Sequence, residues 1–497
     1  MAEDSDYEKA SATKADSVKE GEIFDQLKRN FKPRHMAMIS LGGLQLCYLS
    51  ESGVSLVSSS DGSMVLALRV LLEASILFSI SGSFIDHASR FVDPAFGFAC
   101  GECRGLWILS LACLDRVSSQ GAILSIVVSY WTDDIPTPAL MTIYLLVVFF
   151  IHAMPNTWFG EFEFVVSNLN VGTLLPVSLA LIAFLAGAGP TGTTQHYQNF
   201  TELDAFPNGY KGIVQSMILA AWAIAGLELI GITNGEASSP RVSLHRAQGL
   251  LMGRIIVLLA PAFAFVLMLV PYTSSSLLGT SNAASSPFVT SINAIIILSL
   301  FTIGAEALYL SYRIATAMAR MRILATGAGI GLVLAYINCS SGGALMFTWF
   351  SSLTSIVFLT DPIVVGITNL RMRRALALQG DDSLQGRYAY TVRWLPLEPI
   401  LLILSMSFCL VSALYLAVDP IDPAADKGQS FFELFLAAPI FVVAFVGYRL
   451  VFRSKIVDLN EADWVSGCRP VSEAGSVALD AYNALPLWRR VVSYLRM

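Results

Sequence analysis

About twelve stretches of this chain are apolar for close to the length of a membrane-crossing helix, and that excludes most folds. A span needs ~20 mostly apolar residues. A soluble domain has too little interior to hide many such runs. They fall near 36–57, 64–84, 97–129, 138–155, 165–189, 213–235, 250–271, 288–320, 323–338, 343–368, 397–418 and 431–452. The first is Ser-rich, the third carries Glu102, Arg104, Asp115 and Arg116, and the ninth is short. Only 14% of the 497 residues are charged, against about 25% in soluble domains. The fold class expected is an all-α polytopic membrane protein with about twelve transmembrane helices.

The connections carry an orientation. With the N-terminus placed in the cytosol, the inner segments hold Lys28, Arg29, Lys32 and Arg34, then Arg90, Arg241, Arg246 and Arg254. Later inner segments hold Arg320 and Arg322, the group Arg371, Arg373, Arg374, Arg387 and Arg393, and finally Arg449, Arg453 and Lys455. The outer segments hold Lys211 and Lys427 among Asp133, Asp134, Glu202, Asp204, Asp419, Asp422 and Asp426. This is the positive-inside asymmetry, and it places both termini in the cytosol. The polar segment before the first span has no apolar signal-peptide core. The organisation expected is a disordered cytosolic tail over 1–35, a transmembrane domain over 36–452 and a cytosolic tail over 453–497. That second tail ends in apolar residues alternating with Arg489, Arg490 and Arg496, a pattern that fits either a short helix on the inner leaflet or a packed tail. Asn199-Phe-Thr201 is a weak glycosylation signal in an expected outer loop.

Several function classes drop out. No basic tract is interleaved with aromatics, so no nucleic-acid partner is expected. The chain has an odd count of seven cysteines, most in or beside apolar runs, which argues against a disulfide framework. Cys100 and Cys103 have metal-pair spacing but no second pair and no nearby His, so no metal is expected. With five His in the chain and neither a Ser/His/Asp set nor a phosphate loop, an enzyme is not expected, and no cofactor is called for.

Local motifs narrow the reading further. LKRNFKPRHMAMISLGG (27–43), SGSF (81–84) with RFVDPAFGF (90–98), and WFGEFEF (158–164) come first. AAWAIAGLELIGITNGEASSPR (220–241), VPYTSSSLL (270–278) and SPFV (286–289) follow. AYINCSSGGALMFTWFSSLTS (335–355), LRMRRALALQG (370–380) and FRSKIVDLNEADWVSG (452–467) complete the series. In this order and spacing the chain resembles the fungal amino acid permeases of the APC superfamily, in a divergent form. The resemblance implies an APC/LeuT-like fold of two inverted five-helix repeats plus two peripheral helices, with spans 1 and 6 broken. It implies secondary transport of amino acids, proton coupling, residence in the plasma membrane, and WFGEFEF as the segment before span 5. A broken helix in lipid is tolerated where it lines a polar cavity, and its freed amides and carbonyls then face the substrate's carboxylate and ammonium.

Residues follow from that likeness. The substrate-binding candidates are Gly42 and Gly43 in span 1, Trp222, Ile224, Ala225 and Gly226 in span 6, and Glu306 in span 8. Glu228, a carboxylate deep in an apolar run where a charge costs ~3 kcal/mol, and Glu73 are candidates for proton coupling or for tying helices together. For each the plainer alternative is packing: Gly226 as a packing glycine and Trp222 facing lipid. After Gly42 and Gly43 the family's Gly/Thr-rich stretch is replaced by Gln45, Leu46, Cys47 and Tyr48, which fits either a changed substrate or a lost site. Glu306 stands where the family has a small polar residue, and either holds a cationic substrate's distal amine or is a defect. Arg69 and Glu73 are spaced i,i+4 and can meet on one helix face. Asp361-Pro362 is expected to interrupt span 10, and the usual connection between spans 8 and 9 is missing after Arg322. The competing reading is a transport-inactive amino acid sensor, a decayed paralogue or a wrongly assembled gene.

Overall fold

The computed structural model describes mainly residues 54–105, 117–188, 208–224, 287–320, 343–381 and 390–466, with short gaps, and isolated positions such as Ile232, Asn234 and Cys468. At 54–65, 102–105, 219–224, 287–292, 311–320 and 343–355 it describes backbone only. These residues form helices: α1 (Val54–Leu77), α2 (Ser83–Phe91), α3 (Pro94–Gly105), α4 (Thr137–His152), α5 (Asn156–Ala183), α6 (Gly209–Ile224), α7 (Pro287–Arg320), α8 (Gly343–Leu378), α9 (Leu397–Val418), α10 (Lys427–Phe435) and α11 (Ala437–Phe452). Among the described residues, three helical stretches are long and apolar enough to cross a membrane: Thr157–Ala188, Asn293–Leu310 and Leu397–Val418. Thr137–His152 and Ala437–Phe452 are apolar but shorter.

Where spans meet structure, α9 covers the run expected at 397–418 and α7 that at 288–320. Elsewhere the boundaries move. The helix expected at 64–84 ends at Leu77. Phe78 then pairs in an isolated antiparallel bridge with Cys468, and α2 starts separately at Ser83. α5 begins at Asn156, directly after Pro155, so WFGEFEF lies inside the helix rather than before it. α8 continues through Pro362 without interruption. A proline removes one backbone donor, and neighbouring groups in a helix bundle compensate. The run at 431–452 is split at Leu436 between α10 and α11, with Pro439 in the first turn of α11, where its missing N–H costs nothing. Asp426 caps α10, accepting from the Gly428 amide at 2.8 Å.

α8 packs against α1, α2, α6, α9 and α10, and α7 against α3, α4 and α5. α3 also packs on α2 and α11 and so links the two groups. The main apolar core runs through both and includes Leu68, Leu72, Ile85, Tyr144, Leu300, Ile356 and Leu402. α5 shows why the chain needs an apolar solvent. Phe159, Glu163, Val166, Ser167, Asn170 and Leu174 form a buried stripe, while Val165 is 62% and Leu179 59% exposed on the remaining face. A helix with one polar buried stripe and a bare aliphatic flank is a helix that faces lipid.

One end of the structure carries a strap made from the chain's last part. Val457 N–H donates to Phe91–Val92 backbone through the Val92 carbonyl at 2.9 Å. Arg371 donates to the Phe91 and Val457 carbonyls at 2.6 and 2.7 Å. Gln379 donates to the Leu459 and Ala462 carbonyls, and accepts from the Trp464 indole at 2.7 Å. Arg90 donates to the Ser466 carbonyl at 2.6 Å. A second core beneath it joins Ala74, Phe78, Phe91, Met372 and Ala375 to Ala462. At the other end, Lys211 at the start of α6 pairs with Asp419 after α9 at 2.7 Å.

Candidate functional site

Gly42, Gly43, Ala225, Gly226, Glu228 and Asn199 lie outside the described residues. Trp222 and Ile224 fall in the last turn of α6, described in their backbone only. Just beyond, Gly231 sits so close to α1 and α2 that a Cβ there would lie 2.4 Å from Ser83 Oγ and 3.2 Å from Ser75 Oγ. Asn234 donates to the Ser75 carbonyl. Gly231 and Asn234 therefore lie against the end of α1, where a larger side chain at 231 would first have to displace the Ser83 hydroxyl.

Glu73 is wholly buried on α1. Its expected i,i+4 partner does not pair with it. Arg69 reaches across to Glu398 of α9 at 3.1 Å, and Glu73 accepts from Arg373 of α8. Glu73 also accepts from Val392 N–H at 2.8 Å and Asn369 Nδ2 at 3.3 Å. An exposed i,i+4 pair contributes only about 0.3–0.5 kcal/mol, so tertiary partners that satisfy a buried carboxylate win. In α1 these two charges tie three helices and a loop together.

Glu306 is 3% exposed on α7, on the face that packs against α5. Glu163 of α5 is fully buried and the Glu306 side chain is its neighbour. Around them Phe159 stacks on Tyr309, ring centroids 5.5 Å apart, and Ser299 Oγ donates to Asn170 Oδ1 at 2.6 Å. On the far side of α7, Tyr144 of α4 donates to the Leu300 carbonyl at 3.1 Å and closes over Gly304, where a Cβ would fall 2.1 Å from its oxygen. Glu163 is the residue the sequence reading passed over. Its signal is a carboxylate between Phe162 and Phe164, in the segment expected to precede span 5.

His87 in α2 is buried beside Phe78, and burial, with the Arg90 charge adding to it, brings its pKa from 6.5 down to about 3. No group of three or more His, Cys, Asp or Glu suited to a metal occurs among the described residues.

Apolar helices with lipid-facing flanks and buried, internally paired charges define a multi-pass helical membrane protein. Its sequence then says which kind. The amino acid permease profile matches residues 62–461, and the chain belongs to that family, whose members are transporters rather than enzymes. It is 27% identical to the amino-acid permease GAP5 of Candida albicans, over 94% of this chain and 82% of that one. It is 28% identical to the general amino-acid permease GAP1 of Saccharomyces cerevisiae, over 86% and 78%. Against the lysine-specific permease LysP of Lactococcus lactis the identity is 26%, over 88% and 93%. Among solved structures, the chain is similar to the Eremococcus coleocola manganese transporter, with 13% identity, TM-score 0.47 and coverage of 87% and 92%. It is similar also to Mhp1, a nucleobase-cation-symport-1 family transporter, with 14% identity, TM-score 0.45 and coverage of 91% and 97%.

Proposed function

We propose that this protein carries amino acids across a membrane by proton-coupled secondary transport, with substrate held between broken spans 1 and 6. The observation that carries this is the family match running unbroken from 62 to 461, through every membrane-crossing helix described. The relatives are named as amino acid permeases, one general and one lysine-specific. In this reading twelve spans form two inverted repeats, the 1–35 and 453–497 tails are cytosolic, and the membrane is the plasma membrane. Gly42, Gly43, Trp222, Ile224, Ala225 and Gly226 line the site. Glu306 borders it where a distal amine of a cationic substrate would lie, and Glu228 ties or couples span 6. Glu73, already neutralised by Arg373, serves as a structural tie. Expression in a yeast lacking its own permeases, with confirmed surface delivery, should restore uptake of at least one amino acid. Failure with all twenty rejects transport.

One observation favours the second reading, a transport-inactive sensor or decayed paralogue. After Gly42-Gly43 the side chains of Gln45, Leu46, Cys47 and Tyr48 stand where the family keeps its backbone bare. Amino acid binding by the purified protein without uptake identifies the sensor.

A further inference from the structure

The α5–α7 contact is an antiparallel ladder whose middle rung is two acids. Phe159 faces Tyr309 at one end and Asn170 faces Ser299 at the other. From Glu163 to Asn170, and from Glu306 back to Ser299, is seven residues, close to two helical turns. Helix geometry alone therefore sets Glu163 opposite Glu306, and the two side chains are found as neighbours. Both are buried, and the bare flank of α5 lies on the other side from Glu163.

Two other buried acids of the helix bundle are neutralised differently. Glu73 has Arg373 and Glu398 has Arg69. Glu163 pairs with no Lys, Arg or His among the described residues, and neither of its oxygens has a protein donor in hydrogen-bond geometry. The other described titratable side chains buried on α7 and the helices against it are Tyr309, Tyr144 of α4 and Cys100 of α3, with His152 half-buried in the last turn of α4, the helix on the Tyr144 side of α7. Glu161 lies half-buried on α5, two residues from Glu163 and so on another face. Two adjacent carboxyls in an apolar setting do not both ionise.

We propose that Glu163 and Glu306 hold one proton between them, and that this pair is where a proton boards and leaves during transport. The inference rests on the transport reading for its second half only. A proton taken from water on the acidic side joins the remaining carboxylate oxygen of the pair, so that both carboxyls are neutral. It returns to water on the other side and leaves the pair with the one proton it shares.

The test uses the purified full-length protein. In liposomes with an acidic exterior, uptake of a radiolabelled amino acid mixture and lumenal pH are followed together. Wild type should acidify the lumen as it takes up label, with a KM that rises with external pH. Glu163→Gln should cut the accompanying proton flux at least tenfold and flatten the pH dependence, and Glu163→Asp, which keeps a carboxyl, should restore both. Glu161→Gln should follow wild type. Wild-type proton flux and pH profile in Glu163→Gln overturn the coupling role. Infrared spectroscopy asks about the proton without transport. The carbonyl stretch of a protonated carboxyl should be present in wild type at neutral pH and lost in the Glu163→Gln/Glu306→Gln double variant. Its absence from wild type, or its persistence in the double variant, overturns the shared proton even if the protein transports nothing.

Discussion

Glu73→Ala should be among the most damaging substitutions in the described structure. The carboxylate is wholly buried and accepts from Arg373, Val392 N–H and Asn369. Its removal strands the Arg373 guanidinium, whose side chain is 19% exposed. Breaking a buried ion pair from one side costs about 3–5 kcal/mol. The orphaned Val392 amide adds about 1–3 kcal/mol, overlapping in part with that figure. Arg69 gives no rescue, because it is committed to Glu398. Together these predict a loss of about 4 kcal/mol. Equilibrium unfolding in mixed detergent–SDS micelles measures it. Glu73→Ala with Arg373→Met should recover most of the loss, since apolar replacement of a buried pair is often neutral. A double-mutant cycle should then give a coupling of at least about 2 kcal/mol between 73 and 373 and near zero between 73 and 69. A cost below about 1 kcal/mol, or coupling that appears with Arg69 instead, refutes the assignment of partners.

Three further outcomes follow from single contacts. His87 titrates at about 3 when folded and 6.5 when free, so the unfolded chain binds its proton first. The stability it contributes is complete above pH 6.5 and is lost as pH falls from there toward 3, and His87→Gln should flatten thermal stability over that window. Gly304→Ala drives a methyl into Tyr144 and should cost about 1–3 kcal/mol by the same unfolding assay, with Tyr144→Phe relieving part of it. Trp464→Ala removes the indole donor to Gln379 and should make the strap near residue 464 a preferred site of limited proteolysis while the helices stay intact.

Some of this was legible from residues alone. α9 could be read to the residue because it is bounded by Pro396 and Asp419 and has no charge after Glu398. Glu73 was found, because a carboxylate in an apolar run stands out. Its partner was not, because the local pattern offers Arg69 four residues away and Arg373 lies 300 residues further on. Which arginine wins is decided by burial and by the neighbouring Val392 amide, and neither is written in the local pattern. Glu163 was hidden by a boundary. Pro155 begins α5 earlier than hydropathy suggests, because the polar stripe of the first turns lowers the apolar average while facing inward. Pro362 misled in the other direction, since a proline that breaks a helix in water need not break one held by neighbours.

The strap has a consequence for how the protein is made. The groove between α1, α2 and α8 is closed by Ala462 and Trp464, residues that leave the ribosome long after Phe78 and Phe91. At about 5–20 residues per second that delay is some tens of seconds. Until then Phe78, Phe91 and Met372 lack the cover that Ala462 and Trp464 give them. A chain cut before residue 457 would keep the membrane-crossing helices described yet never complete this contact, so Phe78, Phe91 and Met372 would stay uncovered at that end.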